Sequence, residues 1–210
     1  MRSHGAAMTA PHADRDAAAR EVDSLVGMAI FLAAWAMLFA ALFLAYGVVR
    51  VQAAEWPPFG APRLPRAAPA LSTLLLFASG LSLRRGLARA RRGEPPRLPR
   101  PALRASIVLG FAFLGAQVVL WQAMRARGLL PSSGVYGSVF FALTGFHALH
   151  VLGGLGALGW LALRDRRRRQ PEAEEEAAAS STLRAARVVA LYWDFIAAVW
   201  LLMYLAIFWL

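Results

Sequence analysis

The chain has 210 residues, of which 59% are hydrophobic, with a mean hydropathy of +0.49 and a net charge of +11. Ordinary soluble domains do not combine these values, and the composition is that of a membrane protein. All 23 basic residues are arginine and lie almost wholly between apolar runs, which suits loops and lipid headgroups and excludes a nucleic-acid surface interleaved with base-stacking aromatics. The absence of cysteine excludes a disulfide, a thiolate nucleophile, an iron–sulfur cluster and Cys-ligated zinc.

In chain order, residues 1–24 mix Arg2, Arg15 and Arg20 with Asp14, Asp16, Glu21 and Asp23 and lack an apolar periodicity that would fold alone; they read as a cytoplasmic tail, disordered or interfacial. A signal peptide needs a short apolar core soon after a basic start, whereas the first apolar run begins at Leu25 and continues uncharged to Val49. Residues 25–210 read as a single transmembrane domain, an all-α bundle of five transmembrane helices with spans at about 25–49, 67–83, 105–124, 138–163 and 188–210. The connection from Glu55 to Pro65 is too rich in proline to be helical throughout and reads as an ordered external loop. In the second span Ser72, Thr73, Ser79 and Ser82 thin the hydrophobicity, and in the third Gln117 is the one strongly polar side chain. The fourth stops at the basic run 164–169, and the Glu-Ala-rich stretch 172–179 that follows reads as a solvated loop or short exposed helix. No internal repeat is visible, which argues against inverted-repeat transporters.

Orientation follows from the arginines, three in the tail, eight in 84–104 and seven in 164–187, against three in 50–66 and two in 125–127. The positive-inside rule places the N-terminus in the cytoplasm, and five spans place Leu210 outside. In this frame Trp160 and Trp193 belong to the inner aromatic belt, Trp56, Trp121 and Trp209 to the outer, and Trp35 and Trp200 lie at mid-membrane depth.

The chemical candidates are few. His147 and His150 interrupt the fourth span, and because a charged side chain at the bilayer centre costs about 2.5 kcal/mol or more they are expected to face inward. Three residues apart, they share one helix face. Gly153, Gly156 and Ala157 form a small-residue face suited to close helix packing. Asp194, the only acid in any span, lies about 9 Å deep at 1.5 Å per residue and needs a donor or neutralisation; a histidine of the fourth span is one candidate partner. A structural hydrogen bond and a proton relay both remain open for this group. Haem held by this chain alone is disfavoured, since axial ligands approach opposite faces of the iron and the only other histidines, His4 and His12, are in the tail. Two imidazoles without further ligands also leave a zinc or copper shell short. Catalytic triads, paired carboxylates, phosphate-cradling loops and the H-E-x-x-H motif are absent.

Phe146-His147-Ala148-Leu149-His150-Val151, followed by Gly153-Gly154, resembles the Phe-His-Gly-Leu-His-Val signature of subunit III of the haem-copper oxidases. Tyr192-Trp193 through Val199-Trp200 is similar to that family's closing motif Tyr-Trp-His-Phe-Val-Asp-Val-Val-Trp, and Phe31 through Phe39 is similar to its Phe-Ile-Ala-Ser-Glu-Ala-Met-Leu-Phe segment. Weaker matches lie at Pro69 to Thr73 and Gln117 to Trp121, so the resemblance runs from about Met28 to Leu210. Three positions depart from the pattern: Trp35 replaces the intramembrane glutamate, Asp194 a histidine and Ala197 an aspartate. A proton role resting on that glutamate therefore does not carry over.

The resemblance implies the short, five-span bacterial form of subunit III, a multi-pass protein of the inner membrane with no redox centre or catalytic residue of its own. Its expected partners are subunits I and II, which would carry the haem and copper, and membrane lipids, with bound phospholipid as a further ligand. It would pack on catalytic subunit I of a cytochrome c oxidase, a proton-pumping oxidoreductase, stabilising it and supporting proton uptake in aerobic electron transport. The expected buried polar and packing motif comprises His147, His150, Asp194, Trp193, Gln117, Trp35, Gly153 and Gly156, and on this reading His147→Leu loosens the fourth and fifth spans. The alternatives are an accessory subunit of a quinol oxidase or nitric oxide reductase, and a small proton or ion transporter using Asp194 and the histidine pair.

Overall fold

The structure, a computed structural model, describes residues 10–92, 99–166 and 172–209. Every regular element in these residues is a helix: α1 Ala10–Gln52, α2 Ala67–Ala90, α3 Arg100–Ala126, α4 Val135–Arg166 and α5 Glu172–Phe208. Each contains a stretch long and apolar enough to cross a membrane, from Val22–Gln52 in α1 to Ser181–Phe208 in α5.

The helices outrun the expected spans. α2 continues to Ala90 rather than stopping near residue 83, and α5 begins at Glu172, so the Glu-Ala-rich stretch is its first turns rather than a separate loop or helix. α1 likewise starts at Ala10, inside the expected tail. Apolar windows mark where lipid can be met, whereas Ala, Glu and Arg propagate a helix as well as Leu does. In α2 the core face also continues past the apolar window, with Leu83, Gly86, Leu87 and Ala90 all buried.

α2, α3, α4 and α5 form a four-helix bundle in which each packs on its sequence neighbour and α5 closes back on α2. α2 and α3 come closest, through hydroxyls that bridge their backbones. Ser79 Oγ donates to Ser106 O at 2.7 Å, Ser106 Oγ donates to Ser79 O at 2.9 Å, and Ser82 Oγ donates to Ala102 O at 3.0 Å. Ser79 and Ser82, two of the serines that dilute the second span, are thus its docking surface on α3, small enough to let two backbones approach.

α3 ends in a Schellman motif. Gly128, at φ 86°, follows the last turn; its N–H donates to Arg125 O and the Leu129 N–H donates to Met124 O, while the Leu129 and Met124 side chains are both buried. α1 lies outside the bundle against α5 and, more lightly, α4. It docks through one stripe, Leu32, Trp35, Phe39, Leu42, Tyr46 and Val49, at alternating spacings of three and four, and only Phe39 and Tyr46 in it are fully buried. At the end opposite the basic loops, the last α5 carbonyls are capped by other elements. Tyr46 Oη donates to Ala206 O at 2.9 Å and Arg66 Nε donates to Phe208 O at 3.0 Å, so cationic and hydroxyl donors meet the negative end of the helix dipole.

Candidate functional site

The centre of the bundle is the indole of Trp193, which is completely buried. Three glycines, one on each of the other bundle helices, make room for it. A β-carbon built on Gly154 of α4 would fall 2.5 Å from Trp193 Cζ3, one on Gly110 of α3 would fall 3.1 Å from Cζ2, and one on Gly80 of α2 would fall 3.4 Å from Cδ1. A tryptophan brings more contact area than any other side chain, and it enters a helical interior only where its neighbours give up their own side chains. The expected placing of Trp193 in an aromatic belt is therefore corrected: it is the keystone of the core.

The same geometry corrects the small-residue face. Gly153 and Gly156 are exposed, and a β-carbon on Gly156 would meet nothing within 4 Å. The residue that touches α5 closely is Gly154, a quarter turn round the helix from the face that spacing alone picks out.

His147 and His150 are both buried, but they occupy different compartments. His147 projects into the bundle, between Phe113 of α3, with centroids 5.7 Å apart, and Trp200 of α5, 5.1 Å away and tilted by 34°. Trp200 is itself fixed, its Nε1 donating to Thr73 Oγ1 at 2.9 Å. Neither nitrogen of His147 has a hydrogen-bond partner in the structure, and the same holds for the buried side-chain amide of Gln117, one turn from Phe113. His150 projects into the seam with α1, its ring edge-on to Trp35 at 4.1 Å and near Phe39 at 5.1 Å. Its Nδ1 lies 2.6 Å from Phe146 O; a carbonyl can only accept, so the ring proton sits on Nδ1. The His150 carbonyl accepts from Tyr192 Oη at 3.0 Å, which ties α4 to α5. Three residues of helix rotate side chains by about 300°, and the resulting 60° divergence separates the pair.

Asp194 does not meet a histidine. It faces α2, where Arg84 donates from Nε to Oδ1 at 2.8 Å and from Nη2 to Oδ2 at 2.5 Å, the two-pronged geometry of a guanidinium on a carboxylate. The partner comes from the basic loop as read in sequence, because α2 extends about two turns further than its apolar window and carries Arg84 alongside α5.

Of the eight expected motif residues, the structure thus gathers His147, Gln117 and Trp193 into the bundle interior and His150 with Trp35 into the α1 seam, and it sets Asp194 on the α2–α5 flank and Gly153 and Gly156 outside. Residues that sequence reasoning missed are Gly80, Gly110, Gly154 and Arg84. The available signal was three glycines on three different spans together with a tryptophan inside the fifth, and one acid matched by an arginine at a span end. Among the described residues no three His, Cys, Asp or Glu side chains converge. His4 and the side chain of His12 lie outside the described residues.

The family model described as Cytochrome c oxidase subunit III matches residues 13–210. The probable cytochrome c oxidase subunit 3 of Mycobacterium leprae is 33% identical over 184 residues, covering 87% of this chain and 86% of its own length. That of Nocardia farcinica is 34% identical over 185 residues with the same coverage, and the cytochrome c oxidase subunit 3 of Struthio camelus is 30% identical over 192 residues, covering 87% of this chain and 68% of its own. The family-model match takes in α1 from residue 13 onward and α2 through α5, with the Trp193 core and both buried histidines. The chain belongs to the cytochrome c oxidase subunit III family and is an accessory, multi-pass membrane subunit of a multi-subunit haem-copper oxidase.

Proposed function

We propose that the chain is the non-redox subunit III of a respiratory cytochrome c oxidase in a bacterial inner membrane, packed on catalytic subunit I, which it stabilises and whose proton uptake it sustains during turnover. The observation that carries this reading is the use made of the interior. The buried polar side chains sit among aromatic rings and backbone carbonyls, and the bundle closes on Trp193, so the fold is spent on shape and rigidity. α1, by contrast, leaves a face of Ile30, Met37, Leu44 and Val48 bare. A rigid bundle with a large apolar surface is what a neighbouring membrane subunit can pack against. Haem and copper then belong to subunits I and II, and the arginine-rich loops between α2 and α3 and between α4 and α5 face the cytoplasm.

The transporter reading gains no support from the geometry, because Asp194 is neutralised by Arg84 on a flank and the two histidines lie in separate compartments. The test is to tag this chain, solubilise membranes in mild detergent and record the visible spectrum and subunits of what copurifies. A haem-a signal with a large partner is expected. A nitric oxide reductase or quinol oxidase would appear as different haems and partners, and a colourless chain alone, with other respiratory complexes intact, would overturn the assignment.

A further inference from the structure

At the end of the bundle opposite the basic loops lies a cleft of about 450 Å³, set over the last turn of α5. Its lining includes Arg50 of α1, Trp56, Arg63 and Arg66 of the connection to α2, Tyr136 of α4, and Trp209. The connections at this end carry only five arginines, Arg50, Arg63, Arg66, Arg125 and Arg127, yet three of the five converge here. Two of them are already aimed. Arg66 Nε donates to Phe208 O at 3.0 Å with its guanidinium 4.9 Å from the centroid of the Trp209 ring, and Arg50 Nη1 donates to Tyr46 Oη at 3.0 Å. Each is thereby fixed by one edge, with the remaining N–H groups of its fork left over. Arg63 is exposed, and none of the three makes an ion pair with a described residue. The negative end of the α5 dipole offsets about half a charge, so most of the positive charge of the cleft stays uncompensated.

We propose that this cleft docks an acidic segment of a partner protein, with carboxylates on Arg63 and on the free edges of Arg50 and Arg66, and apolar side chains against Phe59. Guanidinium forks match carboxylates in two-pronged geometry, and these carboxylates have to come from another molecule. Glu55 is the only acid in the connections at this end, and it neither lines the cleft nor pairs with an arginine. The other acids fall in residues 14–23, at 94, in 165–176 and at Asp194, which Arg84 holds. A second copy of this chain would bring the same basic end and be repelled. The walls select protein over lipid, because α1, α4 and α5 contribute only from the turn at each helix end, and no groove for an acyl chain runs down from the arginines. A single inorganic anion would leave most of the volume to water. Arginine, tryptophan and tyrosine are also the residue types that concentrate binding energy at protein interfaces. The rest of the surface is set in advance. Pro57, Pro58, Pro62 and Pro65 restrict the connection, and the Ala61 N–H donates to Pro58 O at 2.9 Å across a turn with Gly60 at φ 79°. That turn holds Phe59 out at 96% exposure, an aromatic anchor on an ordered loop that loses little conformational freedom when a partner covers it.

The test uses membranes that hold the full chain in its native assembly. Phe59→p-benzoylphenylalanine keeps an aromatic side chain at the turn, and after irradiation the crosslinked products are sequenced by mass spectrometry. The expected product joins Phe59 to a partner segment with clustered Asp or Glu. A synthetic peptide of that segment is then titrated onto the purified chain in neutral detergent. Arg63→Gln is expected to weaken its binding about fivefold, the worth of one exposed ion pair, and replacement of the peptide's acids by their amides to weaken it further. Arg63 is exposed and has no partner within the chain, so its substitution leaves the fold alone. Arg127→Gln, at the same end but outside the cleft, is expected to leave the affinity unchanged. Crosslinks to phospholipid alone would show that the turn anchors in the headgroup layer, and a partner segment without acids would show an apolar contact only; either result overturns the proposal. So would the absence of any crosslink to another molecule, displacement of the peptide by millimolar inorganic phosphate, or a peptide that binds the Arg63→Gln chain as tightly as the wild type.

Discussion

A β-carbon on Gly154 has nowhere to go, because the Trp193 ring it would strike is itself held by Gly110 and Gly80 on the far sides. Overpacking of this kind costs about 1 to 3 kcal/mol, more than the gain of up to about 1 kcal/mol that alanine brings to a helix interior. Gly154→Ala is therefore expected to lower the thermal unfolding midpoint of the detergent-solubilised chain, and Gly156→Ala, with open space around it, to leave it unchanged or raise it. Equal behaviour of the two variants would remove Trp193 from the centre of the argument for stability. The motif containing Gly153 and Gly154 was legible in the sequence, yet which glycine mattered was not. Spacing defines a face only to within a residue's rotation, and the deciding contact comes from a helix 39 positions away, from Gly154 to Trp193. The same limit applied to the histidines, whose common spacing was readable and whose separation by α1 was not.

Between elements, the α2–α5 contact is the one where charge enters. With Arg84 at 62% and Asp194 at 30% side-chain exposure, the pair in water would contribute at most about 1 kcal/mol. Removing one partner leaves the other charge at the flank of an apolar bundle, which costs more than the pair itself gives. Asp194→Asn and Arg84→Gln are each expected to lower the unfolding midpoint, and the double variant to recover part of the loss; additive losses in the cycle would show that the two do not act as a pair. The five helices and their order were legible because each apolar run reaches the length that a spanning helix needs, the second, at 67–83, only just. Their ends were not, because the helix is continued by arginine and alanine where hydropathy stops. That error hid the ion pair, since it assigned Arg84 to a loop and left Asp194 to seek a histidine.

For the whole molecule, the question is what the buried polar groups contribute to a subunit that must stay rigid against a catalytic neighbour. His147 sits at the meeting point of α3, α4 and α5, and the expectation from sequence was that His147→Leu would loosen the fourth and fifth spans. The structure changes the reason and hence the size of the effect. The ring is held by Phe113 and Trp200, and neither nitrogen has a hydrogen bond to lose, so a leucine of similar volume removes two unsatisfied polar atoms and keeps most of the contact. His147→Leu is expected to cost less than about 1.5 kcal/mol, whereas His147→Ala opens a cavity between three helices and is expected to cost about 2 to 5 kcal/mol by analogy with other large-to-small core changes. If subunit III stabilises its complex through the rigidity of this bundle, then the oxidase isolated with the leucine variant keeps this subunit at full stoichiometry and retains its turnover lifetime. The alanine variant is expected to shed the subunit on detergent exposure and to inactivate sooner. A leucine variant that dissociates as readily as the alanine one would mean that an imidazole nitrogen finds a polar partner in the assembled complex, and would turn His147 from a packing residue into a contact that the isolated chain does not make.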